Sequence, residues 1–362
     1  KNNPIVTPQN QGITWYENGV LNIGAIFNGG AEIFQDKIVL TPRVPRGYNR
    51  VLIFDEKIGI ERFIIENYLS EVWVLTSKDG LNFAPKANGV IKGNGRDHQD
   101  FIYGIEDTRI IKIGQKYLLI GVGRNKPAFK GVEGDRTALY STEDFKAIKY
   151  HGCINSFHVR NTVILPEPIS GHYYALFRFR PDIQLTVLEG GIRQLLNPSK
   201  YESEWKKILA DRDRNILMQT GIYPHETEKI GPGPQIKKTR RGWLFIYHAV
   251  GEIIPDICKV YGLREKINRA YSISAALLDL QNPRKVLCRT RNPIYIPSLP
   301  HELYGDEHYP VDIPAVVFPT GAIVRQDKLL LYCGAGDKYM ILLSCKLDNL
   351  VDYLWKFCKV EE

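Results

Sequence analysis

Asp107, in the stretch YGIEDTRI, is a carboxylate in unusual company. The polar residues that open or close apolar runs elsewhere in the chain are mostly cationic: Arg43 after LTP, Arg124 after LLIGVG, Arg160 before NTVIL, Arg178 after YALF and His248 after WLFIY. Lys229 stands just ahead of IGPGP, and Asn28 opens a further run. One acid among several cations suits an anionic ligand, because arginine presents a planar fork of donors that matches phosphate or carboxylate oxygens. Taken singly, each arginine reads equally well as an ordinary rim charge; recurrence at equivalent positions favours a site. Glycoside hydrolysis ordinarily needs two carboxylates, one as acid and one as base or nucleophile. Only one clear candidate stands here, and a phosphate nucleophile would make a second unnecessary. On a regular strand Glu106 and Asp107 point to opposite faces while Asp107 and Arg109 share one, which sets the acid in a polar network rather than an apolar pocket.

The elements that position these residues form a pattern recurring five times: an apolar strand, a tight polar turn, and a second apolar strand. The copies are FNGGAEIFQDKIVLTPR from Phe27, EDTRIIKIGQKYLLIGVGR from Glu106, RNTVILPEPISGHYYALFR from Arg160, GPGPQIKKTRRGWLFIYH from Gly231 and FPTGAIVRQDKLLLYCGAGD from Phe318. Turn residues flanked by Val, Ile, Leu, Tyr and Trp make each a β-hairpin. Third runs follow most copies, EVWVLTSKDGLNF, TALYSTEDF, YSISAALLDL and MILLSCKLDNL, and read as outer strands closing on Asp-containing turns. Copies start roughly fifty to ninety residues apart, so the simplest assembly is an all-β, five-bladed β-propeller with the polar strand ends converging on a central channel. The whole chain, 1–362, is expected to be one catalytic domain, its terminal segments closing the ring or serving oligomer contacts.

Composition is that of a soluble globular protein, and no apolar run approaches the roughly twenty residues that cross a bilayer. The net charge of +8 comes from Lys and Arg spread along the chain without a nucleic-acid-binding motif. The six cysteines, Cys153, Cys258, Cys288, Cys333, Cys345 and Cys358, show no metal spacing and read as small buried hydrophobes in a reducing compartment, although their even number leaves disulfides open. With no secretory apolar region at its start, the chain reads as cytoplasmic; it begins with Lys rather than Met. GVGRNK lacks phosphate-loop spacing and GPGP reads as a tight strand start. His151, His158, His172, His225, His301 and His308 form no metal-ligand spacing, and neither metal nor cofactor is expected. Trp73, Trp205, Trp243 and Trp355 are expected to pack between blades, and Trp15 in the core, with a sugar-stacking role as its alternative.

In this order, FNGGA, LTPRV, GIEDTRI, RNTVILPE, ALFRFRPDI, KIGPGP, GWLFIYH, SAALLDLQNPRKVLCRTRNPI and DIPAVVFPTGA resemble the β-mannoside phosphorylases and related mannosidases of glycoside hydrolase family 130, from about Asn28 to the end. The resemblance implies that Asp107 is the general acid and that Arg160, Arg178, Lys229 and His248 bind inorganic phosphate as co-substrate. It sets Asn28, Arg43, Tyr271 and Asp312 against the mannosyl unit. The implied reaction is reversible, inverting phosphorolysis of a β-mannoside to α-mannose 1-phosphate, the acid passing its proton through a sugar hydroxyl. The first repeat tilts toward the β-1,2 group.

Thr108 departs from the family's usual proline, Phe177 from a common His and Ala315 from a common Asn, which bears on the acceptor sugar. The insertions from Arg46 to Trp73 and from Leu185 to Tyr223 are the loops expected to shape specificity. An inverting β-mannosidase on the same fold, with Glu106, Glu167 or Glu226 as base, and a non-catalytic carbohydrate-binding propeller are the alternatives.

Overall fold

The computed structural model describes residues 3–17, 19–56, 60–66, 69–84, 88–92, 101–126, 133–305 and 311–360. All five hairpins form, each as the inner pair of an antiparallel sheet. Blade I contains Phe27–Phe34, Lys37–Arg46, Leu69–Ser77 and Gly89–Lys92; blade II contains Ile105–Ile113, Lys116–Arg124, Asp135–Thr142 and Ile148–Ile154. Blade III runs Arg160–Ile164, Tyr173–Arg178, Ile183–Leu188 and Ile216–Met218. Blade IV runs Lys229–Pro232, Gly242–Ile253, Ile267–Leu278 and Val286–Arg289, with Lys237–Thr239 also paired to its second strand. Blade V has Val317–Arg325, Lys328–Ala335 and Tyr339–Lys346. The protein is a five-bladed β-propeller.

Each sheet packs against a neighbour on both faces, so its strands are apolar in runs rather than in alternation. In Lys116–Arg124 every residue after the first is buried. Val163, Leu176, Phe245 and Ala276 fill the seam between blades III and IV, and Leu244, Ile273, Val317 and Leu331 the seam between IV and V. The outermost position of blade V is taken by the beginning of the chain. Ile5 donates its amide to the Met340 carbonyl (2.9 Å), Met340 donates back to Val6 (3.0 Å), and Asn3 exchanges two side-chain hydrogen bonds with the Leu342 backbone at 2.9 and 3.0 Å. Sheet closure therefore joins sequence-distant segments and removes an open edge.

Three expectations need amendment. MILLSCKLDNL does not end on a turn: its strand stops at Lys346 and LDNL begins the helix Leu347–Phe357, whose Val351 and Leu354, three apart, are buried against blades IV and V. The segment from Leu185 holds two short helices, Ile192–Leu196 and Glu202–Ala210, the latter burying Trp205 and Ile208 against blades II and III. The insertion after Arg46 forms a separate ribbon, Asn49–Asp55 with Ile60–Glu66. Trp243 is buried between blades III and IV; Trp15 is partly buried and meets Tyr48 edge to face at 5.9 Å. Among the described residues no helix is long and apolar enough to cross a membrane. Of the cysteines, all free, only Cys345 is exposed.

Asn3→Ala, which deletes both closing side-chain bonds, should lower the unfolding free energy by about 1 to 3 kcal/mol. Denaturant titration measures this; an unchanged midpoint would show that the strap does not contribute to closure.

Candidate active site

The inner strands of blades I to III start with the same irregularity. Two residues oppose one on the next strand: Asn28 and Gly29 against Pro42, Asp107 and Thr108 against Gly121, Asn161 and Thr162 against Phe177. The first of each pair is left-handed, with φ of 53° at Asn28, 50° at Asp107 and 60° at Asn161. Asn and Asp tolerate this conformation better than other side-chain-bearing residues. Such a bulge re-aims side chains and breaks strict alternation.

Glu106 and Asp107 consequently do not face apart, as a regular strand would place them; both carboxylates meet the same two arginines. Arg43 Nη1 lies 3.0 Å from Glu106 Oε2 and 3.3 Å from Asp107 Oδ1, and Arg160 Nη2 pairs with Glu106 and lies 3.5 Å from Asp107 Oδ2. Asn28 Nδ2 donates to Asp107 Oδ1 at 3.1 Å. Behind them Arg124 pairs with Asp135 and lies 3.9 Å from Glu106 Oε1, while Arg160 Nε reaches Asp135 Oδ2 at 3.6 Å. Three guanidiniums thus meet three carboxylates, which corrects the reading of a single acid among cations. Arg109 does not pair with the Asp107 carboxylate; its Nη1 donates to the Asp107 backbone carbonyl at 2.6 Å.

Arg178, Lys229 and His248 form a second group with a different balance. Arg178 Nη1 donates to His248 Nε2 at 3.2 Å, which requires a neutral imidazole. Burial, then the positive charges of Arg178, Arg109 and Lys229, hold the His248 pKa well below its ordinary value. Burial followed by repulsion from Arg180 and Arg160 pulls Arg178 down to about 9, and among the described residues no carboxylate sits within ion-pair distance of it. Gly231 makes this packing possible: a Cβ there would fall 2.5 Å from both Arg178 Cδ and His248 Cε1.

Tyr271 belongs to this cationic group rather than to the Asn28, Arg43 and Asp107 group. Lys229 and Arg269 each lie 5.1 Å from its ring centroid. Burial opposes ionisation of its phenol, yet Lys229 and Arg269, with Arg178, bring it down to about 7. Glu228 pairs with Lys229 at 2.8 Å and with Arg269 at 2.6 Å; burial opposes its charge, but these partners hold it down to about 2.

Asp312 is fully buried, with Tyr48 donating to one oxygen at 2.8 Å and Lys338 to the other at 3.2 Å. Next to it, and partly open, is Asp337, which burial raises to about 7, Arg43 opposing and the charges of Asp107 and Asp312 reinforcing. The structure therefore brings the nine predicted residues into two adjoining groups and a neighbour: Asn28, Arg43, Asp107 and Arg160 together, Arg178, Lys229, His248 and Tyr271 together with Arg160 acting on Arg178, and Asp312 next to Asp337. Sequence reasoning missed Asp135, Tyr48, Asp337 and Lys338, and offered Glu106 only as a base for the hydrolase alternative. Asp337 closes the fifth repeat copy, a position that was legible; Tyr48 lies in the insertion and had no repeat signal.

The departures are accommodated locally. Thr108 donates to the Thr41 carbonyl at 2.9 Å, tying blade II to blade I. Phe177 packs in a core cluster with Phe157 and Phe179, away from the polar groups. Ala315 is left-handed, φ 54°, and accepts from the Tyr271 amide. Of the other candidate bases, Glu226 is buried with Tyr247 and Arg289, and Glu167 is exposed with Lys238. Among the described residues no group of three His, Cys, Asp or Glu is placed to hold a metal ion.

A propeller carrying an acid beside a cationic cradle, in which Arg178 has no carboxylate partner among the described residues, is the layout of a carbohydrate-cleaving enzyme whose partner is an anion. The chain belongs to glycoside hydrolase family 130: residues 3–356 match the family model described as beta-1,4-mannooligosaccharide phosphorylase. It is 29% identical over 313 residues to a beta-1,2-mannobiose phosphorylase of Listeria innocua, covering 82% of this chain and 72% of that one. A protein of the same description from Thermoanaerobacter is 28% identical over 94% of this chain and 93% of its own. The solved Listeria innocua beta-1,2-mannobiose phosphorylase shares the fold with a TM-score of 0.67 at 24% identity, covering 97% of each chain.

Asp337 titrates above its unfolded value of 3.8, so the folded state holds its proton longer and stability falls as pH rises from about 4 to about 7. Asp337→Asn removes that dependence. The stability of the variant relative to wild type should rise across this window by at most about 1.4 kcal/mol per pH unit; a pH-independent difference in denaturant unfolding would show that Asp337 is not perturbed.

Proposed function

We propose that this chain is an inverting β-mannoside phosphorylase acting on β-1,2-linked mannobiose or short manno-oligosaccharides, with inorganic phosphate as co-substrate. The observation that carries the reading is Arg178: a buried guanidinium with no carboxylate partner among the described residues, beside neutral His248 and Lys229, suits an anion. Asp107 is the general acid. It gives its proton to a sugar hydroxyl, which passes its own to the oxygen of the departing sugar as the glycosidic C–O bond breaks. A phosphate oxygen forms the new bond to the anomeric carbon from the opposite face, so the configuration inverts and α-mannose 1-phosphate is released. Arg178, Lys229, His248 and the Tyr271 hydroxyl hold the phosphate, and Arg160 sits where the two groups meet. Asn28, Arg43 and Asp337 face the mannosyl unit, with Asp312 buried next to Asp337 and its charge raising the Asp337 pKa. The curated relatives support the β-1,2 linkage by their descriptions. Free phosphate and buried free thiols suit a cytoplasmic setting.

The hydrolase alternative needs a carboxylate poised to activate water. Glu228, the acid beside the cradle, is held at about 2 and is a poor base; Glu106 is committed to arginines. Asp337 has a suitable value, but its charged neighbours are Arg43, Asp107, Asp312 and Arg160, on the acid's side.

Mannobiose cleavage should depend on phosphate and yield mannose 1-phosphate; equal release of mannose without phosphate would sink the reading. Asp107→Asn should nearly abolish turnover. Arg178→Ala should weaken phosphate binding by about 2 to 3 kcal/mol, the scale of charge-assisted hydrogen bonds, and isothermal titration with inorganic phosphate measures it.

A further inference from the structure

Arg109 has no role in the reaction proposed above, yet four blades converge on it. It rises from the inner strand of blade II and is wholly buried. Its Nη1 donates to the Asp107 carbonyl at 2.6 Å and its Nε to the Gly233 carbonyl of blade IV at 3.1 Å. Its guanidinium carbon lies 5.5 Å from the centroid of the Phe318 ring of blade V, and that ring contacts His248 at 4.5 Å. Arg160 of blade III is close enough to act on its charge, as Asp107 is, and burial leads the causes that bring its pKa down to about 10. Among the described residues it has no ion pair, and its buried Nη2 has no hydrogen-bond partner.

A buried, uncompensated cation is hard to explain as a stabilising element, because an apolar side chain would avoid its desolvation. Its geometry explains it better. Asp107 stands in a left-handed bulge, a conformation that needs outside support, and Arg109 holds the carbonyl of that same residue. The other arm of the fork is fixed to Gly233, the residue after the strand Lys229–Pro232, whose Gly231 packs against His248 and Arg178. One rigid planar group therefore ties the peptide of the acid to the backbone of the phosphate cradle.

We propose that Arg109 is a positioning residue that sets the placement of Asp107 relative to the cradle. It acts through the two-armed fork rather than through charge alone. This rests on the phosphorylase reading above, in which Asp107 is the acid.

The test compares β-1,2-mannobiose, whose leaving sugar needs a proton, with 2,4-dinitrophenyl β-mannoside, whose leaving group does not, both with inorganic phosphate. Arg109→Lys keeps the charge but cannot make both bonds, and Arg109→Gln removes the charge as well. Both should lose about a hundredfold in kcat on mannobiose, the scale of an ångström misplacement, with KM for mannobiose within about threefold and the aryl mannoside within about threefold of wild type. Wild-type kcat of Arg109→Lys on mannobiose overturns the proposal, as does an equal loss on both substrates, which is the mark of a structural role. Should neither variant fold, Phe318→Leu, which loosens the guanidinium without removing it, should show a loss of about three- to tenfold confined to mannobiose; equal losses or none on the two substrates overturn the proposal there. Asp107→Asn, run in parallel, separates the two levels. If it shows selective retention of the aryl mannoside and the Arg109 variants do not, the positioning role fails alone; if it does not, the acid assignment fails and takes the positioning role with it.

Discussion

Arg178 is withdrawn from solvent beside a neutral imidazole instead of a carboxylate, and the organisation of the channel follows from where such cations are and are not neutralised. A guanidinium removed from water must recover its solvation from somewhere. Around Asp107 the chain supplies the counter-charges itself: Glu106, Asp107 and Asp135 meet Arg43, Arg124 and Arg160. At Asp312 it supplies Lys338. These are closed accounts in the electrostatic sense, and they make a stiff wall. In the cradle, Glu228 is taken by Lys229 and Arg269, and Asp135, the carboxylate that acts on Arg178, is taken by Arg124 and Arg160, which leaves positive charge for a ligand to meet.

The contrast depends on backbone geometry as much as on residue type. A regular strand would send Glu106 and Asp107 to opposite sides, and the six-charge wall could not assemble. The left-handed start at Asp107 brings both carboxylates to the same arginines, and the equivalent start at Asn28 lets its amide reach Asp107. Glycine has the complementary task. Gly334 leaves the space that Asn28 occupies, since a Cβ there would fall 2.0 Å from Asn28 Oδ1. Asx residues aim the groups and glycines let the blades approach.

The fivefold architecture was legible because it is written in local chemistry: turn residues between β-favouring runs, repeated. The strand ends carrying Arg43, Asp107, Arg160, Arg178 and His248 were legible for the same reason. The dense bulge was not, because Asn28-Gly29, Asp107-Thr108 and Asn161-Thr162 share no residue pair that period-two reasoning recognises. Glu106 was therefore misplaced by one face. Tyr48 and Lys338 act on Asp312 from positions 264 and 26 residues away, contacts that no local pattern contains. The helix after Lys346 was missed because LDNL also reads as a turn, and only the burial of Val351 and Leu354 against two blades decides between them.

The same charge pattern bears on the choice between water and phosphate. Water is neutral and gains little from an unneutralised arginine; it needs a base with an accessible proton affinity near working pH. Glu228, held at about 2 by Arg269 and Lys229, has been stripped of that affinity by the very cations that enrich the cradle. Phosphate needs the reverse: it arrives as an anion, already nucleophilic, and requires cations to offset its charge and donors to orient it. His248 is kept neutral, so Arg178 and Lys229 supply the attraction. An arrangement that suppresses the base and concentrates buried positive charge thus disfavours hydrolysis and favours phosphorolysis by one electrostatic cause.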